Sequence, residues 1–335
     1  MHQTNITMLL THPAAHNLLF VRQTLTCKVM RPGKHPGFLG EGVRRAFGQG
    51  LRVVVGCKDS SPDTMSCPTC AKKHECSYVR LYKPYFIRKP DPCSGETQLP
   101  PPYVLSFSCG SPKALETRRH YSAGETITVS LTLFGRDACS QAALAALAME
   151  AGLNRFFVTR DLSPGFVHAR TIYGPCEALM SDWLRKTANQ IAFMQLRQYS
   201  TTVASEESLR IRLTSPLLLD NKLRAPGERT GFSLLLERIA RRMKNIALHY
   251  ANELPPEPYS VDELARAVSC AESLRAGSYR SNKTSVAAWT GHLDVSGHLA
   301  PYYDWLAAGM LLHIGKSPSM GYGAYSIECA SQVCV

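Results

Sequence analysis

The stretch Glu125-Thr126-Ile127-Thr128-Val129-Ser130-Leu131-Thr132-Leu133 alternates without a break. Ile127, Val129, Leu131 and Leu133 fall on one side, and Thr126, Thr128, Ser130 and Thr132 on the other. A period of two rich in β-branched residues predicts a half-buried strand. Working outward, His16 to Lys28 reads as an earlier strand, and the Pro- and Gly-dense Arg31 to Gly37 as a loop. Leu39, Val43, Phe47 and Leu51 recur at helical spacing and form a buried stripe, leaving Arg44, Arg45 and Arg52 off it to face a partner. Ala142 to Ala151 reads as a helix ended by Gly152, and Arg155 to Thr159 as a strand. Ser208 to Leu213 alternates again, with Arg210 and Arg212 on one face. Gly231 to Tyr250 is amphipathic: Phe232, Leu235, Leu236, Ile239, Met243 and Ile246 form a core face, with Arg238, Arg241, Arg242 and Lys244 away from it. Val261 to Ala276 reads as a further helix, and Trp289 to Glu328 as short strands.

The order in each half is read as strand, helix, then strands, then helix and strands. Helices gathered on one face of an antiparallel sheet give an α+β fold whose common unit is ferredoxin-like (RRM-like). Two tandem ferredoxin-like domains are expected, 1–200 and 201–335, the first carrying a cysteine-rich insert at 57–76. The 335 residues carry 38 Lys+Arg against 26 Asp+Glu, a formal net charge of +12. That excess favours a polyanionic partner, RNA or DNA before membrane. Charged residues are 19% and hydrophobic ones 44%, so the chain is not a disordered polyelectrolyte. No run reaches the ~18–20 apolar residues of a membrane span. No export signal accompanies the 12 cysteines, so a cytoplasmic protein with reduced or metal-bound thiols is expected.

The block His313-Ile314-Gly315-Lys316-Ser317-Pro318-Ser319-Met320-Gly321-Tyr322-Gly323 follows an apolar run from Trp305. Glycines, free N–H groups and a lysine together read as an anion contact loop. It is not a Walker A loop, because the first glycine of that motif would have to stand at Met310. The cysteines Cys57-x9-Cys67-x2-Cys70-x5-Cys76 carry one C-x-x-C knuckle. They are candidates for a closed structural zinc site, with an iron–sulfur cluster or metal-free thiols as the other readings.

Four segments carry a family resemblance. Leu39 to Gly48 resembles the first helix of the CRISPR-associated precursor-crRNA-processing endoribonucleases of the repeat-associated mysterious protein superfamily. Ala123 to Gly135 is similar to that family's strand ending in Leu-Phe-Gly. Leu213-Thr214-Ser215-Pro216-Leu217 resembles its Thr-Pro-Leu strand end, with Ser215 inserted. Gly309 to Tyr325 resembles its C-terminal signature, an apolar strand running into a Gly-Lys and then a Gly-aromatic-Gly loop. The resemblance implies binding of CRISPR repeat RNA and one metal-independent cut of precursor crRNA.

Such a cut uses the 2′-hydroxyl as nucleophile and leaves a 2′,3′-cyclic phosphate and a 5′-hydroxyl. It needs a base, an acid and cations for the developing charge. The family's general base near the first helix matches His35, with Lys34 and Arg31 to hold the scissile phosphate. His313 is a second choice, and His292 and His298 are weaker ones. RNA contacts are expected from Arg44, Arg45, Arg210, Arg212, Gly315, Lys316, Ser317, Gly321, Tyr322 and Gly323. The alternative is a non-catalytic guide-RNA-binding subunit among other CRISPR effector subunits.

Overall fold

The computed structural model describes residues 18–35, 38–57, 67–94, 97–109, 119–156, 165–172, 178–179, 190, 207–218, 231–251, 268–281 and 284–329. In chain order the first half holds β1 (Leu19–Arg31), β2 (Gly33–His35), α1 (Leu39–Val54), α2 (Ser77–Tyr82), β3 (Tyr103–Cys109), β4 (Arg119–Tyr121), β5 (Thr126–Phe134), α3 (Arg136–Cys139), α4 (Ala142–Phe156), β6 (Gly165–Ile172) and β7 (Ala178–Leu179). The second holds β8 (Glu207–Leu213), α5 (Gly231–Tyr250), β9 (Val268–Ser281), β10 (Thr284–Gly297), α6 (Tyr303–Leu312) and β11 (Tyr325–Cys329).

The two main sheets repeat one topology. The first runs β3-β5-β1-β6 and the second β11-β8-β10-β9, with every pairing antiparallel. In each, the first strand of the unit sits centrally between the third and the fourth. The second strand lies outside the third, and helices follow the first and third strands. That is the βαββαβ ferredoxin-like arrangement, so the fold is α+β with two such units. The ribbon β2-β4 stands apart from both sheets.

In the first unit α1 and α4 cover the face made by Val21, Leu25, Cys27 and Val29 of β1 and Ile127, Val129, Leu131 and Leu133 of β5. Leu39, Val43, Phe47 and Leu51 of α1 are each at most 5% exposed. Full burial of such side chains stabilises by roughly 1.5–3 kcal/mol apiece. In the second unit α5 and α6 pack on Leu209, Ile211, Leu293 and Val295, and Leu18, Phe20, Val104 and Phe134 of the first unit join that core.

Several sequence expectations are corrected. The helix read at 261–276 is β9 from Val268 onward, because fourteen consecutive pairings with β10 outweigh the modest helix propensity of its Ala, Leu and Glu residues; residues 261–267 lie outside the described ones. The apolar run ending at Ile314 is helix α6 rather than a strand, buried nearly all round and therefore without helical periodicity. Gly152 does not stop its helix. It lies at the crossing of α1 and α4, where a Cβ would overlap the Ala46 carbonyl oxygen, and α4 runs on to Phe156. The strand read at 155–159 therefore begins inside a helix, and 157–159 lie outside the described residues. The loop at 31–37 contains the short strand β2. Arg52 is not displayed: it is buried, its guanidinium over the Tyr78 ring at 4.9 Å. The strand β5 is half-buried only at its start, since Ser130 and Thr132 are buried with their apolar neighbours.

Candidate nucleic-acid interface

The glycine-rich block forms one wall of a cleft between the two units. Gly315, Lys316, Ser317, Pro318, Ser319 and Met320 face Arg44 of α1, the segment Gln98 to Pro101, and Arg238, Arg241, Arg242 and Asn245 of α5. The cavity is about 490 Å³. Five cations line it, and among the described lining residues none is a carboxylate. Residues 238, 241, 242 and 245 are spaced i, i+3, i+4 and i+7, so one stripe of α5 supplies that wall. The opposite stripe is the apolar one that seats the helix on its sheet. Helical phase alone therefore delivers three guanidiniums to the cleft.

Local contacts fix these groups. The Arg44 guanidinium lies over the Tyr82 ring, 4.6 Å from its centroid. Arg242 Nε donates to the Leu312 carbonyl at the end of α6, at 3.4 Å. Arg238 is only 8% exposed. The block is pinned to the first unit where α1 begins, because a Cβ at Gly40 would overlap the Met320 carbonyl oxygen. Tyr322 Oη donates to Glu41 Oε1 at 3.3 Å, and the Tyr322 ring packs on Phe38 at 4.6 Å.

The block is less open to a ligand than its composition suggests. The N–H groups of Ile314, Lys316 and Gly323 donate to the carbonyls of Gly323, Leu218 and Pro216 at 3.0 Å each. Those of Met320 and Gly321 close local turns, and the Ala324 N–H donates to Ser215 Oγ at 2.7 Å. Gly315, Lys316 and Ser317 line the cleft, whereas Gly321, Tyr322 and Gly323 are buried behind it. The structure thus divides the expected loop contacts into a presented part and a structural part.

Arg210 and Arg212 do not join the cleft. Arg210 Nε and Nη2 donate to the two Asp294 carboxylate oxygens at 2.7 and 2.9 Å. Arg212 Nε donates to both Glu328 oxygens at 2.9 and 3.0 Å. The Arg210 hydrogen bond holds the Asp294 carboxyl below its usual pKa. The second sheet thus neutralises its own cationic face. Arg45 is exposed on α1 but does not line the cleft. Arg238, Arg241 and Arg242, read in the sequence as displayed away from the core face, were not among the expected RNA contacts, although their i, i+3, i+4 spacing sets them on one stripe.

His35 and Lys34 lie on β2, and Arg31 ends β1; their side chains lie outside the described residues. In register, Lys34 stands opposite His120 and His35 opposite Arg119. His35 is five residues from Gly40, so the β2-β4 ribbon lies at most ~18 Å along the chain from the Gly40–Met320 contact. His313 caps α6 with φ 57° and ψ 159°, a backbone region costly for any residue but glycine. It is 2% exposed, and burial, then the charges of Arg22 and Arg242, push its pKa down to about 3. It is a neutral buried group and not an accessible proton donor. His292 sits beside Asp294 at 3.6 Å on the second sheet, and His298 is exposed just after β10.

Cys57, Cys67, Cys70 and Cys76 are thiols, not disulfides. Burial pushes the Cys67 thiol up. Among the described residues no three His, Cys, Asp or Glu are placed to hold a metal ion. Arg52 instead brings a cation to Cys67 and Cys57. No step below runs through a metal ion at these thiols.

A family model, AF_1859_N, described as an N-terminal domain, matches residues 18–161. No curated protein matches the chain. Among solved structures, a partial Cas6-RT-Cas1–Cas2 complex superposes with TM-score 0.52 at 12% identity, covering 94% of this chain and 47% of that one. The fold is Cas6-like. A further Cas6-RT-Cas1–Cas2 complex gives TM-score 0.52 at 12% identity, covering 94% of this chain and 29% of the other. A Cas6 product complex gives 0.48 at 15% identity, covering 93% and 99%. This Cas6-like chain spans less than half the length of the first two. Among its described residues, no helix is long and apolar enough to cross a membrane.

Proposed function

We propose that the protein is an endoribonuclease that binds CRISPR repeat RNA and cleaves precursor crRNA. The observation that carries the reading is the five-cation cleft, with no carboxylate among its described lining residues, at the seam of a Cas6-like fold. Phosphates would enter against Arg241, Arg242 and Lys316, and Arg44 would extend the contact along α1. Forked guanidinium donors suit phosphate oxygens, and multiple cations give strong, salt-sensitive attachment.

The chemistry is assigned to the strand before α1. His35 takes the proton of the 2′-hydroxyl, whose oxygen attacks the adjacent phosphorus. The 5′-oxygen leaves and takes up a proton, giving a 2′,3′-cyclic phosphate and a 5′-hydroxyl. Lys34 and Arg31 offset the charge that builds on the phosphorane oxygens. None of these steps uses a metal ion.

The test is incubation of the purified protein with its candidate repeat RNA in excess EDTA, beside His35→Ala. A single cut ending in a cyclic phosphate, lost in the variant, is the expected result. A cut that survives in the variant would move the base elsewhere. Binding without cleavage by either protein would leave a guide-RNA-binding subunit.

A further inference from the structure

We propose that the open face of the first sheet, with Thr24, Thr26, Thr128 and Ser106 between Arg22 and Lys28, is a second binding track for single-stranded RNA. The proposal rests on the RNA-processing reading and adds a route for the strand outside the cleft.

Register defines the face. Phe20, Arg22, Thr24, Thr26 and Lys28 of β1 lie opposite Phe134, Thr132, Ser130, Thr128 and Thr126 of β5. Ser106 of β3 stands opposite Ser130. On β6, Arg170 stands opposite Thr26 and His168 opposite Lys28. The helices cover the other face. At one end Phe20, Val104 and Phe134 are closed off by the core of the second unit. Beyond them the face opens: Arg22 and Lys28 are exposed, and Thr24, Thr26, Thr128 and Ser106 are half-buried. Thr24 and Ser130 hydroxyls share a hydrogen bond of 3.1 Å, which leaves each oxygen further capacity.

The charge pattern selects the ligand. None of β1, β3, β5 or β6 contains an Asp or Glu, yet they carry Arg22, Lys28, Arg31, His168 and Arg170. The second sheet has the same topology but matches Arg210 with Asp294 and Arg212 with Glu328. A face that only had to be wet would tolerate carboxylates as the second sheet does. Hydroxyls flanked by cations suit phosphate oxygens and the ribose 2′-hydroxyl, which both donates and accepts.

The track connects the two ends of the proposed site. Phe20, two residues before Arg22, lies in one core cluster with Ile314, the residue that precedes the Gly315 wall of the cleft. Arg22 to Lys28 spans about 20 Å at the usual strand rise. Three residues past Lys28 β1 ends at Arg31, and β2 with His35 follows.

The test uses the full chain, its candidate repeat RNA and single-stranded DNA of the same sequence, in fluorescence anisotropy. Thr24→Val, Thr26→Val and Thr128→Val combined keep the β-branched shape and the charge. This variant should bind RNA at least tenfold more weakly, with a smaller loss on DNA and an unchanged salt slope. Arg22→Gln with Lys28→Gln should flatten the slope of log K against log salt by roughly 1.4, about 0.7 per cation on a single strand. Wild-type affinity and slope in both variants, with binding weakened by Arg241→Gln and Arg242→Gln, would overturn the track and leave the cleft reading standing. Wild type that binds no RNA would remove both. A second readout needs no variant: 4-thiouridine-substituted repeat should cross-link to peptides of β1 or β5. Cross-links confined to α5 and the 315–320 wall would refute the track.

Discussion

His313 makes the stability of this protein depend on pH in a way that can be worked out beforehand. Its ordinary pKa is 6.5 and its folded value about 3. The folded state therefore resists a proton that the unfolded chain accepts. The sign follows from linkage: this contribution is fully present above pH 6.5 and is lost as pH falls toward 3. Over that window the loss is about 1.4 kcal/mol per pH unit. Between pH 7.5 and pH 5.0 the two pKa values give roughly 2 kcal/mol. The assay is urea unfolding of wild type and His313→Asn at both pH values. Asn keeps a polar side chain at this positive-φ position and does not titrate. The variant will be less stable throughout, so the quantity compared is each protein's own change with pH. Wild type should lose about 2 kcal/mol more than the variant. Equal losses would refute the burial argument and return His313 to the candidates for proton transfer.

Three further outcomes are expected. Arg241→Gln with Arg242→Gln should weaken RNA binding and flatten its salt slope by roughly 1.4 to 1.8, whereas Arg212→Gln, already matched by Glu328, should move it far less in the same titration. Gly40→Ala forces a side chain onto the Met320 carbonyl and should destabilise by about 1–3 kcal/mol, read as a lowered denaturant midpoint; an unchanged midpoint would mean the seam is looser than described. Phe47→Ala empties a site with no solvent exposure and should cost about 3–5 kcal/mol in the same measurement.

The strands and helices with strong periodicity were legible before any coordinates. The α1 stripe at Leu39, Val43, Phe47 and Leu51 and the α5 core face are buried as their spacing requires. What failed has a common cause. The Val268–Ser281 strand and the Tyr303–Leu312 helix are decided by what packs on them, and neither carries the period of its own structure. Gly152 reads locally as a stop but is set by the approach of α1. The candidate site behaved likewise. Arginine content announced a polyanion, but which arginines face a ligand depends on partners such as Asp294 and Glu328, remote from Arg210 and Arg212 in sequence. The α5 arginines carried their own signal, since helical phase alone puts three of them on one stripe.

The central position of β1 has a consequence for how the chain folds. Its partners come from far along the sequence: Phe20 pairs with Phe134, Thr24 with Ile172 and Leu19 with Leu179. In the second unit β9 and β10 are joined by a two-residue connection and zip from Ser281 and Thr284 outward. Closing the loop from Lys28 to Thr126 costs chain entropy before any contact repays it, whereas a hairpin forms locally within microseconds. During synthesis the first sheet therefore has its middle strand in place long before either neighbour has been made. β1, an apolar and basic strand, waits for its first sheet neighbour while the ribosome adds residues 32–125, and it is open to wrong partners throughout.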